Sequence, residues 1–219
     1  MTVYERLDYD SGLSKQNPNL KYKVVYLTSG TNLTAAVVVD EPYEVETAGG
    51  RVRVNGIVIE NTLYLFQTKN EDEAHYLATI LNSNVLNDLI KPMQVGGGFG
   101  ERHFHKRPLE FPIPRYDPGN PVHRRLAELG RAARERVRAA LERALKELGY
   151  YEQVRRYYDY MYGRPGEAGQ PRPLSPTQVA RLRDHIRRNM VADLLAEIDE
   201  LVRDLLSAPG RSNTLLDFT

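Results

Sequence analysis

The first third of the chain is built of short runs rich in β-branched and aromatic residues. The rest is dominated by longer runs whose apolar positions fall three or four apart. Lys21 to Leu27 (K-Y-K-V-V-Y-L) predicts a strand, Ser29-Gly30-Thr31-Asn32 a turn, and Thr34 to Asp40 a second strand. Tyr43 to Glu46 and Arg51 to Val54 flank Ala48-Gly49-Gly50 and predict a hairpin. Asn55-Gly56 carries a type I′ turn signature and leads into Ile57–Glu60, then Asn61 to Thr68. Residues 21–68 are therefore expected to form one compact sheet of about five short strands.

Asn70, with Glu73 three residues on, has the pattern of a capping box and predicts a helix from about Glu71 to Ile90. Its middle, Leu81-Asn82-Ser83-Asn84, is polar for a helix interior. It reads either as a kink or as amides turned toward a binding groove. Beyond the turn at Asp117-Pro118-Gly119-Asn120-Pro121, apolar positions from Val122 to Leu148 predict a long amphipathic helix stopped by Gly149. Tyr150 to Tyr162 carries six tyrosines with Arg155 and Arg156 among them; these either pack a helix pair or stack on bases. Residues 163–174 read as a linker. Ser175-Pro176-Thr177-Gln178 opens a last helix running to about Leu206. The expected class is α+β, with a small mixed or antiparallel sheet domain and packed helices over residues 1–118. A long helical hairpin or arm follows over residues 119–219.

The segment between the two, Gln94 to Tyr116 (Q-V-G-G-G-F-G-E-R-H-F-H-K-R-P-L-E-F-P-I-P-R-Y), is of a different kind. Gly96, Gly97, Gly98 and Gly100 give a permissive backbone, and Arg102, His103, His105, Lys106 and Arg107 cluster behind them. Pro112 and Pro114 hold the exit extended. Such a segment is either an ordinary connection with a solvated charge run or a surface for an anionic polymer. Charge sharpens the choice. The formal net charge is +1, yet residues 101–165 hold 15 Lys+Arg against 9 Asp+Glu, whereas residues 1–100 hold 8 against 12. That asymmetry suggests a polyanionic partner. Arginines outnumber lysines 23 to 7, which suits bidentate contacts to phosphate or guanine as well as it suits a compositional bias.

The chain has no cysteine, which excludes disulfides, thiolate metal sites and thiol nucleophiles. No apolar run reaches the roughly 18 residues of a membrane span, so a soluble, cytoplasmic protein is expected. A search for catalytic centres finds none. Asn17-Pro18-Asn19-Leu20 lacks the second proline and the aromatic residue of an amino-methyltransferase loop. Gly96–Gly100 neither follows a buried strand nor opens a helix, as a nucleotide-binding loop would. His103 and His105 alternate along an extended segment and do not form a metal pair. Asp193, Glu197, Asp199 and Glu200 read as the solvated face of a helix. The expectation is a protein without catalysis, cofactor or metal.

The order of four stretches resembles a known family. These are K-Y-K-V-V-Y with S-G-T-N-L-T-A-A-V-V-V, then Y-L-F-Q with E-A-H-Y-L-A-T-I-L-N-S, then G-G-G-F-G-E-R-H-F-H-K-R-P-L-E-F-P-I-P-R-Y-D, then H-R-R-L-A-E-L-G. Over roughly residues 20–135 the chain is similar to the target-recognition domain of type IIG-like restriction–modification N6-adenine methyltransferases, which is related to type I specificity subunits. The resemblance implies sequence-specific recognition of double-stranded DNA by a domain without its own S-adenosylmethionine site. Catalysis would belong to a methyltransferase or restriction partner, or to a fused domain. Carried onto this sequence, the family's loop and basic stretch fall on Gly96, Gly97, Gly98, Arg102, His103, His105, Lys106 and Arg107; Lys21, Lys23 and Arg115 are candidate phosphate contacts outside that motif. The alternative is a protein-interaction module. Two amphipathic helices of roughly 27 and 31 residues would dock a methyltransferase or form a homodimer through a coiled coil.

Overall fold

The computed structural model describes residue 8 and residues 12–30, 32–47, 49–60, 62–93, 95–96, 102–103, 107–162 and 171–207, with backbone alone at 95–96, 102–103 and 109. The fold is α+β. Two compact units are distinguished, one drawn from Met1–Glu41, Gly56–Arg131 and Leu195–Thr219, the other from Pro42–Asn55 and Ala132–Leu194. The division therefore does not fall at residue 118. It falls inside the long helix and again inside the last one.

In the first unit, strands β1 (Tyr22–Leu27), β2 (Ala35–Val39) and β5 (Leu63–Thr68) form an antiparallel sheet of order β2-β1-β5. Central β1 pairs Tyr22 with Val39 on one side and with Thr68 on the other. Both of its faces are covered, so Lys23, Val24, Val25 and Tyr26 are all buried. Strands β3 (Tyr43–Thr47) and β4 (Gly50–Val54) pair only with each other, so the five strands make two sheets where one was expected.

Ile57–Glu60 forms no strand, because side chains occupy its amide groups. Asp40 Oδ1 accepts from Ile57 N–H at 2.8 Å, and the Gln16 amide both accepts from Ile59 N–H and donates to Ile59 O. The same device recurs three times. Gln67 pairs with both backbone groups of Asn17, Asn82 with both of Ala35, and Asn87 with both of Leu33. A side-chain amide presents one donor and one acceptor side by side, as a peptide group does, and so stands in for a missing ladder partner.

Helix α1 (Glu71–Asn82) begins at the expected cap, where Asn70 Oδ1 accepts from Asp72 and Glu73 N–H. The reciprocal arm of the capping box is relayed. Asn70 N–H donates to Thr68 Oγ1, and that hydroxyl donates to Glu73 Oε2. The predicted single helix to Ile90 breaks at Ser83, which leaves α1 and caps α2 (Asn84–Ile90) by accepting from Leu86 N–H. The Asp199 carboxylate completes that cap, accepting from Asn84 N–H at 2.8 Å, Asn84 Nδ2–H at 2.7 Å and Val85 N–H at 3.4 Å. The polar middle is thus a junction, and its amides bind the sheet and the turn before it.

After a 3-10 turn (Lys91–Met93), β6 (Val95–Gly96) pairs antiparallel with β7 (Arg102–His103), and α3 (Arg107–Glu110) follows. Helix α4 (Pro121–Glu147) is the long helix predicted from periodicity. Its Gly130 lies so close to α1 that an added Cβ would meet Thr79 Oγ1 at 2.0 Å and the His75 carbonyl at 3.1 Å. The core between sheet and helices holds Val24, Tyr26, Tyr76, Ile80, Leu126 and Leu129.

In the second unit, hairpin β3–β4 is two-faced: register places Val45 opposite Val52 on one face and Glu46 opposite Arg51 on the other. The chain leaves α4 through Gly149, whose φ of +72° is the left-handed C′ position. It enters α5 (Tyr151–Met161), then α6 (Pro176–Asn189), which starts at the predicted capping box of Ser175 and Gln178. Helix α7 (Ala192–Ser207) is separate, because the predicted helix to Leu206 breaks at buried Met190 and Val191. Arg136 spans the break, donating to the Met190 carbonyl at 3.4 Å and to Asp193 at 2.6 and 2.7 Å.

Candidate nucleic-acid interface

The segment Gln94–Tyr116 is anchored at its exit. Ile113 is fully buried, the Tyr76 hydroxyl donates to the Pro114 carbonyl at 3.0 Å, and the Tyr116 ring lies 5.6 Å from that of Tyr76. The His123 ring lies tilted against that of Tyr76, 4.8 Å between centroids, and accepts from Asp117 N–H at 3.0 Å, closing the anchor on the α4 side. The prolines leave residues 111–116 without strand pairing. Burial and the nearby Asp72 carboxylate push the Tyr116 phenol above its ordinary pKa, so it stays a neutral donor to Asp72 at 3.4 Å. At its entry, β6 and β7 set Val95 opposite His103 and Gly96 opposite Arg102. That short ladder brings Gly96, Arg102 and His103 together. Gly97, Gly98, His105 and Lys106 lie outside the described residues.

The other expected contacts divide sharply. Arg107 is exposed at the start of α3 and pairs with Glu110 at 2.9 Å, a surface contact three residues apart that a phosphate would displace at little cost. Lys21 is exposed beside Glu41, whose hydrogen bond and charge raise the lysine's pKa; it too stays accessible. Arg115 is exposed at the end of the anchored exit.

Lys23 corrects the expectation. It is only 2% exposed, its ammonium pairs at 2.6 Å with Asp40, whose side chain is 6% exposed, and it also donates to the Ile57 carbonyl. Burial would raise the Asp40 carboxyl, but Lys23 and Ile57 N–H outweigh it and hold that pKa below the ordinary value. Lys23 belongs to the core, beyond the reach of a phosphate.

Most of the basic side chains on α4 are paired within the protein. Arg125 grips Glu197 at 2.6 and 3.0 Å, Arg131 pairs with Asp72, Arg136 with Asp193, Arg143 with Glu147 and Lys146 with Glu142. Asp193, Glu197 and Asp199 lie on the solvated face expected of them, where Asp193 and Glu197 pair with arginines and Asp199 caps α2. Arg134 and Arg138 differ: both are exposed, and among the described residues neither guanidinium has an ion-pair or hydrogen-bond partner. They stand four residues apart and share one face of the second unit. The sequence hid them among neighbours of the same type.

A second feature escaped the sequence reading. In the first unit, Tyr26, Tyr64 and Phe66 line a cavity of about 470 Å³ closed by α1 and by residues 113–116. The signal was present as alternation, since Val24 and Tyr26 on β1 face Phe66 and Tyr64 on β5 in register. No residue of α5 is buried, and of its tyrosines Tyr158 and Tyr160 are close to half exposed.

Among the described residues no group of three His, Asp or Glu is arranged to hold a metal, and no helix is long and apolar enough to cross a membrane. No protein-family model, curated protein or solved structure matches the chain.

Proposed function

We propose that this chain is a sequence-specific DNA-recognition module serving a restriction–modification adenine methyltransferase, with the chemistry supplied by a partner subunit or a fused catalytic domain. The observation that carries the reading is the mounting of the basic segment. Its exit is fixed by Ile113, Tyr76 and Tyr116, and its entry pairs Arg102 with a side-chain-free Gly96. A reader of duplex DNA needs this combination, because guanidinium forks discriminate bases only when the backbone behind them is held. Arg102 and Arg107 contact phosphates or guanine edges in this reading, Arg115 and Lys21 contact phosphates, and Lys23 has no part. Arg134 and Arg138 add a phosphate-contacting pair on the second unit.

The test is fluorescence anisotropy with a randomised duplex across about 50 to 200 mM salt, where each phosphate contact contributes a slope of about −0.9 in log–log form. Replacing Arg102 and Arg107 together by alanine is expected to weaken binding about tenfold or more at low salt, from charge-assisted contacts of about 1–3 kcal/mol each. Unchanged affinity removes the segment from the interface.

The alternative, a protein-docking module, draws on the exposed Tyr158, Tyr160 and Met161 of α5. Tyrosine is enriched at the energetic centres of protein interfaces. Light scattering with and without DNA separates the two: a dimer indifferent to DNA favours docking.

A further inference from the structure

We propose that the aromatic cavity of the first unit is a binding site for a single amino-bearing nucleobase together with its phosphate. The volume, about 470 Å³, lies in the range of small-molecule sites, roughly 300–1,000 Å³. Its walls are suited to a planar ring. Tyr26 and Tyr64 stack at 5.0 Å with 18° between their planes, and Phe66 lies one step along the same face of β5. Burial, reinforced at Tyr26 by its neighbour Tyr64, raises both phenols' pKa, so the wall is neutral and offers ring faces rather than charge. Base–aromatic stacking of this sort is tolerant of base identity.

Two charged groups of opposite sign complete the lining. Glu73 takes the Thr68 hydroxyl on Oε2, and a carboxylate with two oxygens keeps Oε1 to accept from an exocyclic amino group. Arg115, at the exposed end of the anchored segment, is placed for a phosphate. Adenine, cytosine and guanine carry an amino group and thymine does not, so thymine is the disfavoured base. The ligand comes either from the free mononucleotide pool or from a nucleotide unstacked out of DNA. The cavity is separate from the β6–β7 ladder, and the free-nucleotide source stands even if the chain binds no duplex.

The experiment uses the full chain in two arms. Saturation-transfer NMR and calorimetry follow dAMP, dCMP, dGMP and dTMP, and 2-aminopurine fluorescence reports unstacking within a duplex. Saturable binding is expected for the three amino-bearing nucleotides, severalfold weaker for dTMP. Tyr64→Leu and Arg115→Gln, checked for folding by circular dichroism, should each weaken it about tenfold. A response to free nucleotides alone assigns the pool as the source, and a 2-aminopurine rise abolished by Tyr64→Leu assigns DNA. Absence of both signals up to about 10 mM nucleotide overturns the proposal, as does binding that neither variant changes.

Discussion

The two units differ in the polar side chains they bury. The first has put polar groups inside: Lys23 beside Asp40, Asn87 clasping the Leu33 backbone, Ser83 at the helix junction and Thr68 in the hydroxyl relay at a helix start. Among the described residues the second buries no polar side chain; it exposes Tyr43, Val52, Tyr160 and Met161, as the first exposes Leu27 and Val58, and its ion pairs lie at the surface. Buried polar groups fix one arrangement, because a wrong one leaves them unsatisfied. Surface pairs in water fix much less. Under the proposed function, recognition groups held in place belong to the first environment, and a surface that a partner covers belongs to the second.

The sharpest way to break this contrast is Lys23→Met, which strands the buried Asp40 carboxylate. Chemical denaturation should show a loss of about 3–5 kcal/mol, whereas DNA affinity of the folded fraction stays unchanged. Acid tests the same pair without mutation. The Asp40 pKa is depressed in the folded state, so its contribution is complete above the unfolded value near 4. It is lost as pH falls through the folded value. Urea midpoints should therefore drop below about pH 4, and less so for the already destabilised Lys23→Met.

Next in size is Asn87→Ala. It removes the partner of both Leu33 backbone groups and should lower stability by about 1–3 kcal/mol in thermal unfolding. Gly130→Ala comes after it. Overpacking against Thr79 and the His75 carbonyl costs about 1–3 kcal/mol, offset by about 1 kcal/mol from the better helix former. A variant as stable as the parent would show that α1 and α4 yield at their closest approach. The smallest effect is expected for Arg136→Ala in the second unit, a midpoint shift below that of Asn87→Ala and largely gone in 1 M salt. A large, salt-resistant loss there would end the contrast between the units.

Local signals were legible and long-range ones were not. The Asn70 cap, the Ser175–Gln178 capping box and the Gly149 stop depend on residues within a turn of each other, and each lies where the sequence predicts. Ile57–Glu60 has the composition of a strand, but its amides belong to Asp40 and Gln16, which no local pattern announces. Met190 keeps the helical spacing of its neighbours while Arg136, 54 residues away, takes its carbonyl. Lys23 looked like a surface cation because strand alternation cannot show that a central strand is covered on both sides. The basic segment was conspicuous by composition alone. The aromatic cavity was spread over two strands, a helix and a loop, so only the register assembles it.

The Asp199 cap carries a consequence for how the protein is made. Its carboxylate closes the start of α2 across 115 residues of chain, so that helix junction cannot be completed until Asp199 has left the ribosome. With the second unit inserted between its pieces, the first has to wait, half assembled, while the intervening chain is synthesised. A fragment cut at residue 118 would stay in that waiting state, with a helix end open and β1 to β5 already present.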